Sequence, residues 1–210
     1  MDILHLDPQT IVCVKPPRVL STDEPGGLPE LLREELGDPE ANIRTVHRLD
    51  RVVGGLMVLA RTARAAGDLS RDIREDRFRK EYLAVVHGCL PEEKGTFRDL
   101  LLRNKVEKKT YAVTDSQKDA QEAILRYEVL DTTDALSLVQ IRLVTGRTHQ
   151  IRCQFSSRGL PLVGDRKYGR EDGAEEIALW SYHVGFRQPK TGQWLEFRKE
   201  PPAIYPWTEF

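Results

Sequence analysis

Cysteine is scarce. Cys13, Cys89 and Cys153 are an odd number, far apart, with no C-x-x-C spacing. That argues against a disulfide framework and against a zinc ribbon, and fits free thiols in a reducing compartment. No apolar run comes near the roughly 20 residues needed to cross a bilayer. The opening Met1-Asp2-Ile3-Leu4-His5 lacks the basic start and apolar stretch of a signal peptide. A soluble, cytoplasmic protein with no membrane partner is expected. The five histidines (His5, His47, His87, His149, His183) show no metal-ligand spacing, so no metal is expected. No phosphate loop or dinucleotide fingerprint is present, so no nucleotide cofactor is expected either.

Net charge is also nearly lacking, at −1 over 210 residues. Its distribution is uneven. Residues 1–43 carry three basic and nine acidic groups, whereas residues 44–80 carry ten basic and five acidic. Residues 142–170 carry seven basic groups against Asp165 alone. If the two basic blocks converge, they make a positive groove that the overall charge conceals. The competing reading is a pair of solvated helix faces. The length suits one large domain or two tightly joined halves, with a core that needs no covalent staple.

Residues 11–14 form a short apolar run stopped by Lys15-Pro16-Pro17, as a strand entering a rigid loop. Leu28, Leu31, Leu32 and Leu36 have helical spacing, with Pro29 in the first turn and Gly37 as the stop. Residues 53–60 predict a buried strand, and Thr62 a cap for a helix turning Ala63, Ala66, Leu69, Ser70 and Ile73 inward. Residues 81–88 predict another strand. Residues 91–123 read as a polar, irregular surface excursion, with a hairpin around Thr110 to Val113. Residues 121–130 and 135–144 alternate as paired strands. Thr148 is expected to cap a helix ended by Gly159, and two short strands follow at 177–186 and 193–197. Without regular β-α-β alternation, the pattern predicts an α+β fold over residues 1–210.

Three places can carry chemistry. In His47-Arg48-Leu49-Asp50-Arg51, one acid sits between two arginines directly before a buried strand. A carboxylate so placed can act as nucleophile or base; a structural ion pair or turn is the competing reading. In Val144 to Arg152, Gly146 allows a tight turn into a helix start, with Arg147 and Arg152 beside free backbone N–H groups. That combination can cradle a phosphate or carboxylate, or be a basic surface turn. Tyr82 opens a strand with apolar alternates and on that pattern reads first as a core aromatic with a polar tip.

Four segments in this order resemble the RluA-type pseudouridine synthases: HRLDR at 47–51, KEYLAVVHG at 80–88, TGRTHQIR at 145–152 and PLVGDRKYG at 161–169. A fifth, weaker one is FRQPKTGQWLEF at 186–197. The resemblance covers most of the chain from about residue 10. It implies an enzyme that isomerises uridine in RNA, either ribosomal or transfer RNA, without a cofactor. It gives Asp50 the essential carboxylate role. Tyr82 would pack on the target uracil, and Arg152 would pair with Asp50. Arg48 would hold the target nucleotide out of its stack. Arg51, Arg147, His149 and Gln150 are expected to bind the substrate with it. The fold implied is a mixed, largely antiparallel sheet split by a catalytic cleft and flanked by helices and loops. It would form a single catalytic domain of two sheet halves, functioning as a monomer.

The sequence departs from that family's pattern in places. Val53-Gly54-Gly55 stands where Thr-Ser-Gly is common, Lys15-Pro16-Pro17-Arg18 replaces a Lys-Pro-x-Gly turn, and Leu179-Trp180-Ser181 replaces Leu-His-Ala. Residues 1–10 leave no room for the small RNA-binding module that some relatives carry in front. Target choice is then expected to come from the catalytic domain, through the Lys-rich stretch at 98–111. The alternatives are an RNA-binding protein on the same scaffold without catalysis, and a hydrolase releasing uracil.

Overall fold

The structure, a computed structural model, describes residues 1–115 and 117–210. Its elements begin with β1 (Ile3–Leu6), β2 (Thr10–Lys15), α1 (Leu28–Leu36), β3 (Arg44–Thr45), β4 (Gly54–Ala60), α2 (Ala63–Arg74) and β5 (Arg79–His87). They continue with β6 (Lys94–Asn104), β7 (Lys109–Val113), β8 (Gln121–Thr132), β9 (Leu136–Leu143), α3 (Gln150–Ser156), β10 (Leu179–Arg187) and β11 (Trp194–Arg198). The strands pair mostly antiparallel, with a parallel pairing between β4 and β10, so the expected α+β class holds. None of the helices described is long and apolar enough to cross a membrane. The chain forms two compact units, Met1–Lys80 with Trp180–Glu200, and Glu81–Leu179 with Pro201–Phe210.

In the first unit every residue of β4 is buried, as its continuous apolar run predicts. β2 lies antiparallel along one edge, from Thr10 opposite Ala60 to Lys15 opposite Gly55. On the other edge β3 covers Leu59 and Ala60, while β10 runs parallel beside Gly54 and Gly55. Thr62 caps α2 as expected, its hydroxyl accepting from Ala65 N at 3.1 Å. The cap fixes the phase of the helix. Ala65 and Leu69 turn inward and Ala63, expected inside, is exposed. Leu69 joins Val12, Leu56, Val58, Phe78 and Phe186 in the core, a burial worth roughly 2 kcal/mol. α1 buries Leu28 and Leu32 and ends on Gly37 at φ 64°.

The second unit is an antiparallel sheet with neighbours β5, β9, β8, β6 and β7 in that order. Much of the stretch expected to be irregular is strand: Lys94–Asn104, Lys109–Val113 and the start of β8 at Gln121. β6 is an 11-residue strand, paired to β8 along Lys94–Leu101 and to β7 along Leu100–Asn104. Its sequence hides this because the outer face is charged. Lys94 pairs with Glu128 and Arg98 with Glu122 across the strands, while Phe97 and Leu101 turn in. The expected hairpin at Thr110 to Val113 is there as β7. Asn104 Oδ1 accepts from Val106 N and Glu107 N and closes its tip, where Val106 is 93% exposed. α3 also differs from expectation. Thr148 does not cap it: the residue before the helix is His149, at φ 55°, with no side-chain cap. Gln150 reaches back instead, accepting from Arg147 N at 2.9 Å and from Thr145 Oγ1 at 2.8 Å. Phe155 of α3 packs against Phe97 and Tyr127 at centroid distances of 5.0 and 6.3 Å.

Candidate active site

In the first unit the segment before β4 alternates. His47 and Leu49 are buried, Arg48 and Arg51 are exposed, and Asp50 is half-buried between them. Each inward residue is pinned. His47 Nε2 accepts from Val58 N at 3.0 Å, so the ring is neutral and burial pushes its pKa down to about 3, with the nearby Lys80 charge acting in the same direction. The Ser21 hydroxyl donates to Leu49 O at 2.9 Å and accepts from Leu49 N at 3.0 Å. Asp50 then begins a tight turn, its carbonyl accepting from Val53 N at 2.9 Å. The alternation of a strand-like segment thus buries His47 and Leu49 and leaves Asp50 half-buried, while Leu49 and Arg51 on either side of it are anchored through their backbones.

Beneath this turn lies a residue that sequence reading left as a strand end. Lys15 is 0% exposed, and its ammonium donates to Pro16 O (2.8 Å), Val19 O (2.8 Å) and Arg51 O (3.3 Å). One cation therefore joins the loop after β2 to the turn that carries Asp50. Burial pushes Lys15 down to about 8, and the Asp50 carboxylate opposes that shift. Arg51 adds a second tie, with Nε donating to Arg18 O at 3.0 Å. A lysine between an apolar run and two prolines gave no sequence signal for this role.

In the second unit Arg152 sits on α3 and is 5% exposed. Its Nε and Nη2 donate to the two oxygens of Asp165 at 2.7 and 2.8 Å, and Asp165 is 1% exposed. Asp165 Oδ1 also accepts from the backbone of Lys167 (3.0 Å) and Tyr168 (3.1 Å). The guanidinium lies over the Tyr168 ring, 5.1 Å from its centroid. Tyr168 Oη accepts from Thr110 N at 2.7 Å and is 2.8 Å from His149 Nδ1, and burial raises its pKa. Arg152 is thus oriented by a carboxylate fork and an aromatic plane. Asp165 and Tyr168 belong to the segment 161–169, and the order of residues alone assigned them no role.

The other expected site residues fall as follows. Tyr82 lies on β5 opposite Ile141 and is largely buried. Arg147 is exposed at the turn into α3, with Nε donating to Glu122 O. His149 is half-buried beside Tyr168. Gln150 is 2% exposed, and its amide is engaged by Thr145, Arg147 and Ile124, so it builds the turn. The structure thus groups Arg48, Asp50 and Arg51 on one turn, and Arg147, His149, Gln150 and Arg152 on another. Among the described residues no three His, Cys, Asp or Glu side chains gather so as to hold a metal ion. Chemically the two turns offer an anchored carboxylate with flanking arginines, and a fixed guanidinium with a basic rim.

A family model described as RNA pseudouridylate synthase matches residues 9–157. The chain is 34% identical over 180 residues to an uncharacterized RNA pseudouridine synthase of Aquifex aeolicus (strain VF5), covering 78% of this chain and 56% of that protein. It is 30% identical over 215 residues to the dual-specificity RNA pseudouridine synthase RluA of Pasteurella multocida (strain Pm70), covering 97% and 94%. It spans about half the length of several curated relatives it matches. Among solved structures it is similar to human RNA Pseudouridylate Synthase Domain Containing 1, with a TM-score of 0.82, 26% identity, and coverage of 97% of this chain and 84% of that one.

Proposed function

Because the chain belongs to the RNA pseudouridylate synthase family, of the RluA type, we propose that it isomerises uridine to pseudouridine within structured RNA. In this reading the N1–C1′ bond of a uridine breaks and the freed uracil turns. C5 then bonds to C1′, the proton leaves C5, and N1 ends protonated. Positive charge develops on the sugar as the glycosidic bond breaks, as in glycoside hydrolysis, and a nearby carboxylate stabilises it. That carboxylate is Asp50. Glycosidases need a second carboxyl group to assist the leaving group and to activate water. Here the leaving base is itself the returning nucleophile, so one acid suffices and no cofactor is required.

Tyr82 packs on the uracil, and its phenol oxygen takes up the C5 proton as its own O–H proton passes to solvent. Arg152 serves the reaction as a fixed guanidinium, with Asp165 setting its orientation. Arg48 holds the target nucleotide out of its stack, a step that costs a few kcal/mol. Arg51, Arg147 and His149 bind the surrounding backbone, and Gln150 supports them through the turn it closes. The basic blocks at 44–80 and 142–170 supply the phosphate affinity. The observation that carries this reading is the anchoring at 47–51. His47 and Leu49 are locked into the first unit while Asp50 stays half-buried on a turn tied down by a buried ammonium. The substrate we propose is ribosomal or transfer RNA; one relative is named as a dual-specificity enzyme. The protein acts in the cytoplasm as a monomer.

The test is to incubate the purified protein with bulk RNA, probe for pseudouridine chemically and weigh the product. Pseudouridine at unchanged RNA mass supports the reading. Loss of base mass points to a uracil-releasing hydrolase, and binding without modification to an RNA-binding protein; either result overturns it.

A further inference from the structure

Gly54 directly follows Val53, whose N–H closes the Asp50 turn, and its register partner on β10 is Trp180. A Cβ at Gly54 would lie 2.5 Å from Trp180 Cζ3, 3.0 Å from Cε3 and 3.1 Å from Pro17 Cδ. The indole therefore occupies the space that a side chain at 54 would need. It is not free to leave: Trp180 is 8% exposed and its Nε1 donates to Lys199 O at 2.8 Å. The next pair repeats the close approach. Gly55, at φ 116°, faces the backbone of Ser181, whose hydroxyl donates to Leu56 O at 2.9 Å. Pro17 belongs to the loop that Lys15 ties to Arg51. The indole is thus packed at the point where the Asp50 turn enters β4 and where the Lys15 loop approaches it.

We propose that Trp180 is a positioning residue for Asp50, seated on Gly54 so that the two act as one packing unit that fixes how the Asp50 turn leaves β4. Both positions are departures from the pattern the sequence resembles, and the geometry gives them a single cause. A large ring at 180 requires the absence of a side chain at 54. The inference rests on the isomerase reading for its functional half and on packing alone for its structural half.

The experiment is a double-mutant cycle with Gly54→Ser, Trp180→His and the pair together. It is read as the single-turnover rate of pseudouridine formation, as RNA affinity, and as melting temperature without RNA. Each single change displaces the turn, and the rate is expected to fall about tenfold to a hundredfold with affinity within about twofold. The double variant is expected to regain most of the rate and of the melting temperature, where independent sites would multiply their losses. Should Gly54→Ser fail to fold, Trp180→His against the pair still measures the rescue. A Gly54→Ser variant at the wild-type rate overturns the proposal, as does a double variant with no rescue in rate and melting. A wild-type protein that forms no pseudouridine overturns the isomerase reading instead, and the melting cycle then decides the packing unit by itself.

Discussion

Asp165 holds Arg152 by both oxygens, at 2.7 and 2.8 Å, and with one of them also receives the N–H groups of Lys167 and Tyr168. One carboxylate therefore sets the direction of the guanidinium and the shape of the loop beneath it. The pair is almost wholly removed from water, which makes it costly to break from one side.

Asp165→Ala is expected to lower stability by about 3–5 kcal/mol, because a buried guanidinium loses the carboxylate that binds it with both oxygens. Asp165→Asn keeps the shape and part of the hydrogen bonding and is expected to cost less. Urea unfolding of the two variants checks this; equal and small losses would mean that the ion pair does not matter to the unit.

Asp50→Asn is expected to reduce pseudouridine formation below detection while RNA affinity stays within about threefold, roughly 0.7 kcal/mol. The change keeps the size and the backbone turn and removes only the charge. Chemical probing of the RNA together with filter binding reads both quantities. Modification at the wild-type rate removes Asp50 from the mechanism.

The β6–β7 hairpin carries Lys105 and Lys108 beside a fully exposed Val106, on a tip fixed by Asn104. The pair Lys105→Ala and Lys108→Ala is expected to weaken RNA binding. The slope of log affinity against log salt should become shallower by about 0.7–0.9 for each phosphate that the variant no longer neutralises. An unchanged slope would place the RNA elsewhere.

His47 gives a signature in acid. Its folded pKa is about 3 against an ordinary 6.5, so between these values the unfolded chain takes up a proton that the native ring refuses. Its contribution is complete above about pH 6.5 and is lost as pH falls toward 3. From pH 7 to 4.5 the loss is about 3 kcal/mol. His47→Gln is expected to flatten this part of the stability curve, measured as urea midpoints at the two pH values against the wild-type protein. A parallel wild-type and variant decline would show that the ring is not buried neutral.

Much of this was legible in the chain. The buried strand at 53–60 follows from its unbroken apolar run, and the α2 cap from Thr62 ahead of a helical pattern. The Asp50 turn was visible as an acid between arginines at a strand edge. β6 was not, because salt pairs with β8 make its outer face look like loop composition. The α3 start differs because Thr148 has the right chemistry for a cap, while the long Gln150 side chain closes the turn instead by accepting from Arg147 N and the Thr145 hydroxyl ahead of the helix. Lys15 and Asp165 were invisible for another reason. Their partners are backbone groups and a guanidinium, brought near only by the fold, and no spacing along the sequence announces such partners.

The first unit is completed by residues made long after β4, since Trp180 and Ser181 supply the parallel neighbour of Gly54 and Gly55. At about 5–20 residues per second, translation needs roughly ten seconds after β4 has been made before that neighbour exists. Until then the nascent polypeptide carries an open strand border beside the Asp50 turn, the kind of surface that invites wrong pairing. The ribosome therefore makes Trp180 well after the turn it packs against, and under the proposal above a product clipped before residue 180 would keep Asp50 yet lose the indole seated on Gly54.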